Sequence, residues 1–170
     1  MTSPPFRMEL LASHDRSGFS CGNDRIDRYF RETVGQYVKR DYVKCFAAVE
    51  VETDRLAGFY TLSASGIPLT DIPNDFKKKM PRYPTVPVGL IGWLGRHVDF
   101  AGRGLGEALL FDAIKRVANN TTVGLHAIVV DAIDDKAMKF YRGYGFVSLS
   151  PDAPRRMYVP VATALKAIEA

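Results

Sequence analysis

Cysteine is scarce in this chain: Cys21 and Cys45 are the only two, and histidine occurs three times. Two thiols make neither a disulfide framework nor a zinc site, so no metal is expected. Both fit a reducing compartment as small buried hydrophobes. No apolar run approaches the ~18 residues of a helical membrane span, and no membrane association is expected. The stretch from Met1 to Asp15 carries Pro4, Pro5, Arg7 and Glu9 and lacks the apolar block of a secretion signal. A cytoplasmic protein is therefore expected. Charge of one sign is also in short supply: 23 Lys plus Arg against 19 Asp plus Glu leaves +4. That excess permits a polyanionic partner without demanding one.

What is present is a chain of 170 residues, 46% hydrophobic, enough for one domain over 1–170 with a full core. No internal repeat, low-complexity tract or long polar linker divides it. The positive charge is concentrated. Arg25, Arg28, Arg31, Lys39, Arg40 and Lys44 lie close together in sequence, and Lys77, Lys78, Lys79 and Arg82 form a second knot.

Helical spacing of Ile26, Phe30, Val34, Tyr37 and Val38 predicts a helix after Asn23 or Asp24. Cys45–Val51 and Leu56–Ser65, joined by the polar turn Glu52–Arg55, read as a hairpin. The Pro-marked stretch from Pro68 to Pro87 reads as a surface excursion with a short helix over Asn74–Lys79. A central strand over Val86–Val98, a helix over Gly102–Val117 and a buried strand over Ala127–Asp131 follow. A helix over Asp134–Arg142, closing strands at Phe146–Leu149 and Met157–Val161, and a tail helix over Ala162–Ala170 complete the order. Helices inserted between strands predict an α/β (α+β) layering around a mixed sheet.

The segment Ala101-Gly102-Arg103-Gly104-Leu105-Gly106-Glu107 follows a strand and opens a helix. The first turn of a helix leaves N–H groups without intrahelical acceptors, and the dipole adds partial positive charge there. Glycines let an anion approach those groups. A P-loop is excluded because Gly-Glu-Ala stands where Gly-Lys-Ser/Thr is needed. A Rossmann fingerprint is excluded because Glu107 holds the third glycine position. An anion cradle and a plain tight turn both remain open on these residues alone.

The stretch Leu94-Gly95-Arg96-His97-Val98-Asp99-Phe100 leading into this turn, and Ala137-Met138-Lys139-Phe140-Tyr141-Arg142-Gly143-Tyr144-Gly145-Phe146 downstream, resemble the two acetyl-CoA motifs of the GNAT N-acetyltransferases. The resemblance implies the GNAT fold, with strands splayed at the acetyl-CoA site. It implies cofactor contacts from Leu94, Gly95, Arg96, Ala101, Gly102, Arg103, Gly104, Leu105, Gly106, Glu107, Asp134, Ala137 and Phe140. Ala101 stands where the family usually has Arg or Gln, which shifts binding onto backbone N–H groups. Asp134 stands where Asn is usual; it can cap a helix equally well.

Transfer of acetyl from acetyl-CoA to an amine needs a proton for the leaving thiolate. Tyr141, at the family's tyrosine position, is the catalytic candidate, since a phenol of reference pKa ~10 is protonated at neutral pH. His97 and His126 are the possible bases. An amine of lowered pKa, such as the α-amino group of an aminoacyl ester, needs little base.

Phe19-Ser20-Cys21-Gly22-Asn23-Asp24-Arg25-Ile26-Asp27-Arg28-Tyr29-Phe30, Gly58–Ser65 and Pro81-Arg82-Tyr83-Pro84 resemble the GNAT toxins of bacterial toxin–antitoxin modules. This implies acetylation of aminoacyl-tRNA, a translation block, neutralisation by a ribbon-helix-helix antitoxin, and a homodimer. Lys39, Arg40, Lys44, Lys77, Lys78, Lys79 and Arg82 are the candidate tRNA contacts. The alternatives are a GNAT enzyme acting on a small or protein amine, and a non-catalytic CoA-binding module.

Overall fold

The computed structural model describes residues 4–169; Met1, Thr2 and Ser3 of the N-terminal stretch, and Ala170 of the expected tail helix, lie outside the described residues. The elements in chain order are β1 (Phe6–Leu10), α1 (Asp24–Arg28), a π-helical turn (Tyr29–Thr33) and α2 (Val34–Lys39). Then come β2 (Lys44–Glu50), β3 (Leu56–Pro68), α3 (Asn74–Lys77), β4 (Thr85–Arg96) and α4 (Leu105–Ala118). The chain closes with β5 (Ala127–Asp131), α5 (Asp135–Arg142), β6 (Val147–Ser150), β7 (Ala153–Pro160) and α6 (Val161–Glu169). Seven strands form a mixed, mostly antiparallel sheet in the order β1-β2-β3-β4-β5-β7-β6, the expected α/β arrangement.

The residues fall into two compact units. One runs up to Ser63 and includes Gly92–Ala113; the other comprises Ala64–Ile91 and the residues from Ile114 onward.

In the first unit the expected hairpin forms, with Cys45 opposite Thr61 and Ala47 opposite Phe59. β1 adds to its outer side, Phe6 opposite Glu50 and Leu10 opposite Phe46. This strand was not expected. Its alternation of Phe6, Met8 and Leu10 with Arg7 and Glu9 is the period of a strand, but it is short and follows two prolines. The core is aromatic: Phe30 stacks on Phe59 at 4.0 Å between ring centroids, and Phe19 meets Phe30 edge-on at 4.7 Å. Asn23 caps α1 by accepting from the Ile26 N–H at 3.1 Å. Ile26, Phe30 and Val34 are buried as the helical spacing requires, whereas Tyr37 is 41% exposed.

The second unit packs β4 against β5 in parallel, Val88 opposite Ala127 and Ile91 opposite Val130. β7 lies antiparallel to β5 and to β6. Ile67, Ile72, Val86, Val88, Val129 and Tyr158 form one buried cluster, with Phe76 and Met80 against it. The stretch expected as a surface excursion is thus anchored: Ile72 is 2% exposed, and α3 brings Phe76 to the Tyr158 ring.

Candidate acetyl-CoA and acceptor site

β4 carries Leu94, Gly95 and Arg96 at its C-terminal end. Its parallel register with β5 stops at Ile91 opposite Val130, and β4 continues to Arg96. Gly95 is placed by close packing: a Cβ there would meet Ile26 and Phe59 at 3.0 Å. Leu94 and Arg96 are half-buried, and the Arg96 Nε is buried with no hydrogen-bond partner among the described residues.

The glycine-rich turn has the backbone its sequence implied. Gly102 and Gly104 sit at φ of +77° and +72°, the left-handed region that favours glycine. A Cβ at Gly102, Gly104 or Gly106 would meet nothing within 4 Å, so the turn is open. Ala101 and Glu107 are exposed, while Leu105 is fully buried and pins the start of α4. The helix begins at Leu105 rather than at Gly102, and the Ala108 N–H bonds the Gly104 carbonyl at 3.0 Å. The N–H groups ahead of it have no turn before them to bond, the condition that an anion-binding helix start requires. These residues fit a diphosphate. Arg103 is exposed but partnered: its Nη1 donates to Glu50 Oε2 at 2.5 Å, and its guanidinium lies 4.8 Å from the Phe6 ring centroid.

In the second unit, Asp134 caps α5 by accepting from the Ala137 N–H at 2.8 Å, as its position implied. α5 carries Ala137, half-buried Phe140 and buried Tyr141. The Tyr141 ring packs edge-on against Phe140 at 5.3 Å and Phe146 at 5.4 Å. Burial pushes its phenol pKa well above the ordinary 10.0, so it holds its proton at neutral pH. Tyr144 packs edge-on against Phe140 at 5.6 Å.

His97 is buried and structural in its contacts. Its Nδ1 accepts from the Asp99 N–H at 3.0 Å, capping the short Val98–Phe100 turn, and its ring meets Phe19 edge-on at 5.6 Å. His126 is exposed, and its carbonyl accepts from the Val161 N–H at 3.0 Å. Cys45 is buried as expected, while Cys21 is half-buried. Burial pushes their thiol pKa values up, to about 12 for Cys45 and about 11 for Cys21, so both thiols are protonated at neutral pH. Among the described residues no group of His, Cys, Asp and Glu is placed to hold a metal ion, and no helix is long and apolar enough to cross a membrane.

Of the basic clusters, Lys39 and Arg40 end α2 and Lys44 opens β2; all three are exposed, with Lys44 Nζ 3.7 Å from Asp41. In the other unit Lys78, Lys79 and Arg82 are exposed and Lys77 is half-buried, its Nζ donating to the Thr70 carbonyl at 3.4 Å. Glu50, Arg55 and Asp99 were not anticipated. Arg55 Nη2 donates to Asp99 Oδ2 at 2.7 Å, bracing the turn into which β4 runs. Pairs so distant in sequence leave no local signal.

The acetyltransferase (GNAT) domain family matches residues 97–157. A tRNA-acetylating toxin of Mycobacterium tuberculosis (strain ATCC 25618 / H37Rv) is 36% identical over 141 residues, 82% of this chain and 82% of that one. A probable toxin TacT of Sinorhizobium fredii (strain NBRC 101917 / NGR234) is 29% identical over 158 residues, 88% of this chain and 87% of that one. Among solved structures, a tyrosine-to-phenylalanine variant of KacT superposes with a TM-score of 0.86 at 27% identity, covering 96% of this chain and 99% of that one. The fold and these relatives are those of an acyl-transferring enzyme, and the chain belongs to the GNAT acetyltransferase family. The two relatives named above, matched along most of their length, carry the names of a tRNA-acetylating toxin and a probable toxin.

Proposed function

We propose that this protein transfers an acetyl group from acetyl-CoA to the α-amino group of aminoacyl-tRNA and thereby blocks translation. The observation that carries the reading is the open turn at Gly102 and Gly104 ahead of α4, in a chain 36% identical to a tRNA-acetylating toxin. The N–H groups of that turn hold the diphosphate of the coenzyme, and the backbone of Leu94–Arg96 holds its pantetheine arm. Ala101 offers no side-chain hydrogen bond, so backbone donors carry the anion.

Acetyl-CoA supplies the acetyl group as a thioester: the amine nitrogen forms the new amide bond as the carbon–sulfur bond breaks. Tyr141 holds a proton on Oη and gives it to the departing sulfur, a contribution of roughly 10²–10⁴-fold. No side chain is needed to deprotonate the acceptor strongly, because the ester of an aminoacyl-tRNA lowers the pKa of its own α-amino group below the ~8 of a free N-terminus. Lys39, Arg40, Lys44, Lys77, Lys78, Lys79 and Arg82 contact phosphates of the acceptor stem, a role that carries affinity rather than sequence choice.

The same reading places the protein in the cytoplasm, as a homodimer, neutralised by a small ribbon-helix-helix antitoxin. It is tested by incubating the protein with charged and with deacylated total tRNA and labelled acetyl-CoA. Label is expected on the amino acid of the charged pool alone. Label on polyamines or protein lysines instead would move the acceptor to a different class.

A further inference from the structure

We infer that the pocket lined by Asp24, Arg25, Arg28, Tyr29 and Thr33 binds a nucleotide of single-stranded RNA, taking its base on Arg25 and its phosphate on Arg28. The proposal rests on the aminoacyl-tRNA reading above and deepens it, naming where the unpaired 3′ end of the acceptor is held. The pocket has a volume of about 410 Å³, within the roughly 300–1,000 Å³ of small-ligand sites.

Its one aromatic lining residue, Tyr29, is held from behind by further packing. Tyr29 lies one helical turn beyond buried Ile26 and is itself buried; it opens a π-helical turn, Tyr29–Thr33, in which the Val34 N–H reaches back to the Tyr29 carbonyl and one residue is added to the helix. Such turns recur at functional sites. The Tyr29 ring stacks on Trp93 at 4.1 Å and 9° between planes, and the Arg25 guanidinium lies over the same indole, 5.5 Å from its centroid. Arg25 is thereby held in place before any ligand arrives. Burial pushes the Tyr29 hydroxyl pKa up to about 12, so it remains a donor.

Charge marks this pocket: two arginines less than one helical turn apart crowd one small opening, and among the described residues neither is neutralised by an ion pair. Arg7, Arg55 and Arg103 are each paired with a carboxylate. Among the described residues, Arg25 and Arg28 have no carboxylate at ion-pair distance, although both are exposed. A guanidinium can hydrogen-bond a phosphate through its fork and stack on a base through its plane. Asp24 and Thr33 at the rim offer acceptors and a hydroxyl to ribose or an exocyclic amine. An acidic peptide has no planar ring for Arg25 and meets the Asp24 carboxylate; unpaired RNA supplies base, phosphate and 2′-hydroxyl together.

The test uses the full chain and a fluorescent RNA hairpin carrying an unacylated single-stranded 3′-ACCA end, beside the same hairpin with a blunt end. Anisotropy across a salt series is expected to show tighter binding of the overhang. Replacing both arginines (Arg25→Ala with Arg28→Ala) is expected to weaken overhang binding roughly tenfold and lower the log–log salt slope by about 1. Melting should confirm that this variant is folded, and blunt-hairpin binding should be little changed. The corresponding lysine pair should recover only part of the affinity, since lysine has no plane to stack. Equal affinity for overhang and blunt RNA, an unchanged overhang affinity in the alanine pair, full rescue by lysine, or displacement by an acidic peptide but not by single-stranded RNA would each overturn the assignment. Acetylation of charged tRNA by the unsubstituted protein is scored separately, so its failure sinks the enzymatic reading while a failed hairpin comparison sinks only this one.

Discussion

Arg103 belongs to the anion-binding turn by sequence but to Glu50 by contact, its Nη1 2.5 Å from Glu50 Oε2. The carboxylate is nearly buried and takes a second hydrogen bond from Thr53 Oγ1 at 2.6 Å. The guanidinium also lies 5.5 Å from the Phe100 ring centroid. The pair ties the turn to β2. Arg103→Ala and Glu50→Gln are each expected to weaken coenzyme binding severalfold, and the double variant no more than the stronger single one, in a calorimetric double-mutant cycle. Were Arg103 to grip the diphosphate itself, Glu50→Gln would free it and tighten binding. The pair also sets a pH signature. The Thr53 hydroxyl first, and then Arg103, hold the Glu50 carboxyl below its ordinary 4.5. A depressed carboxyl stabilises the fold above its unfolded value, and the effect disappears as pH falls through the folded one. The melting difference between the protein and Glu50→Gln should be constant above about pH 5 and vanish in stronger acid.

Gly104 and Gly106 separate backbone strain from space. Both face open surroundings, but only Gly104 has positive φ, and Gly106 lies within α4. Gly104→Ala is expected to cost about 1 kcal/mol of stability and to weaken coenzyme binding strongly as the turn relaxes. Gly106→Ala is expected to raise the melting temperature slightly, alanine being the better helix former, with a smaller effect on binding. Melting and calorimetry on the two variants check this.

Asp134 supports the helix that bears Tyr141. Removal of its bond to the Ala137 N–H in Asp134→Ala is expected to cost about 1 kcal/mol, a fall of roughly 2–4 °C in melting temperature. Asp134→Asn keeps an acceptor and should melt like the parent protein.

The motif residues were legible because they act over short spans. A turn needing positive φ is written as glycine, and a helix cap as Asp three residues before the N–H it bonds. The hairpin was legible for the same reason. What was not legible is non-local or weakly marked. The Glu50–Arg103 pair joins residues 53 apart. β1 is a short edge strand whose alternation is too brief to stand out beside Pro4 and Pro5. The π-helical turn has no sequence mark; it shifts the helical phase beyond Thr33, so Tyr37 is exposed against the expected pattern.

The proposed contact of the exposed basic clusters with the acceptor predicts a salt-dependent interaction. KM for charged tRNA is expected to rise with ionic strength. Replacing Lys39, Arg40 and Lys44, or Lys78, Lys79 and Arg82, by alanine should lower the log–log slope by about 1 for each phosphate that is no longer neutralised. KM for acetyl-CoA should be unchanged in both sets, measured by steady-state kinetics over a salt series.

The most direct measurement pairs two quantities on the protein and on Tyr141→Phe: the initial rate of acetyl transfer to charged tRNA, and coenzyme affinity by calorimetry. The expected result is transfer by the unsubstituted protein, a fall of roughly 10²–10⁴-fold in the variant, and the same coenzyme affinity in both. Charged tRNA left unmodified by protein that binds the coenzyme, or equal rates with and without the Tyr141 hydroxyl, would contradict the account.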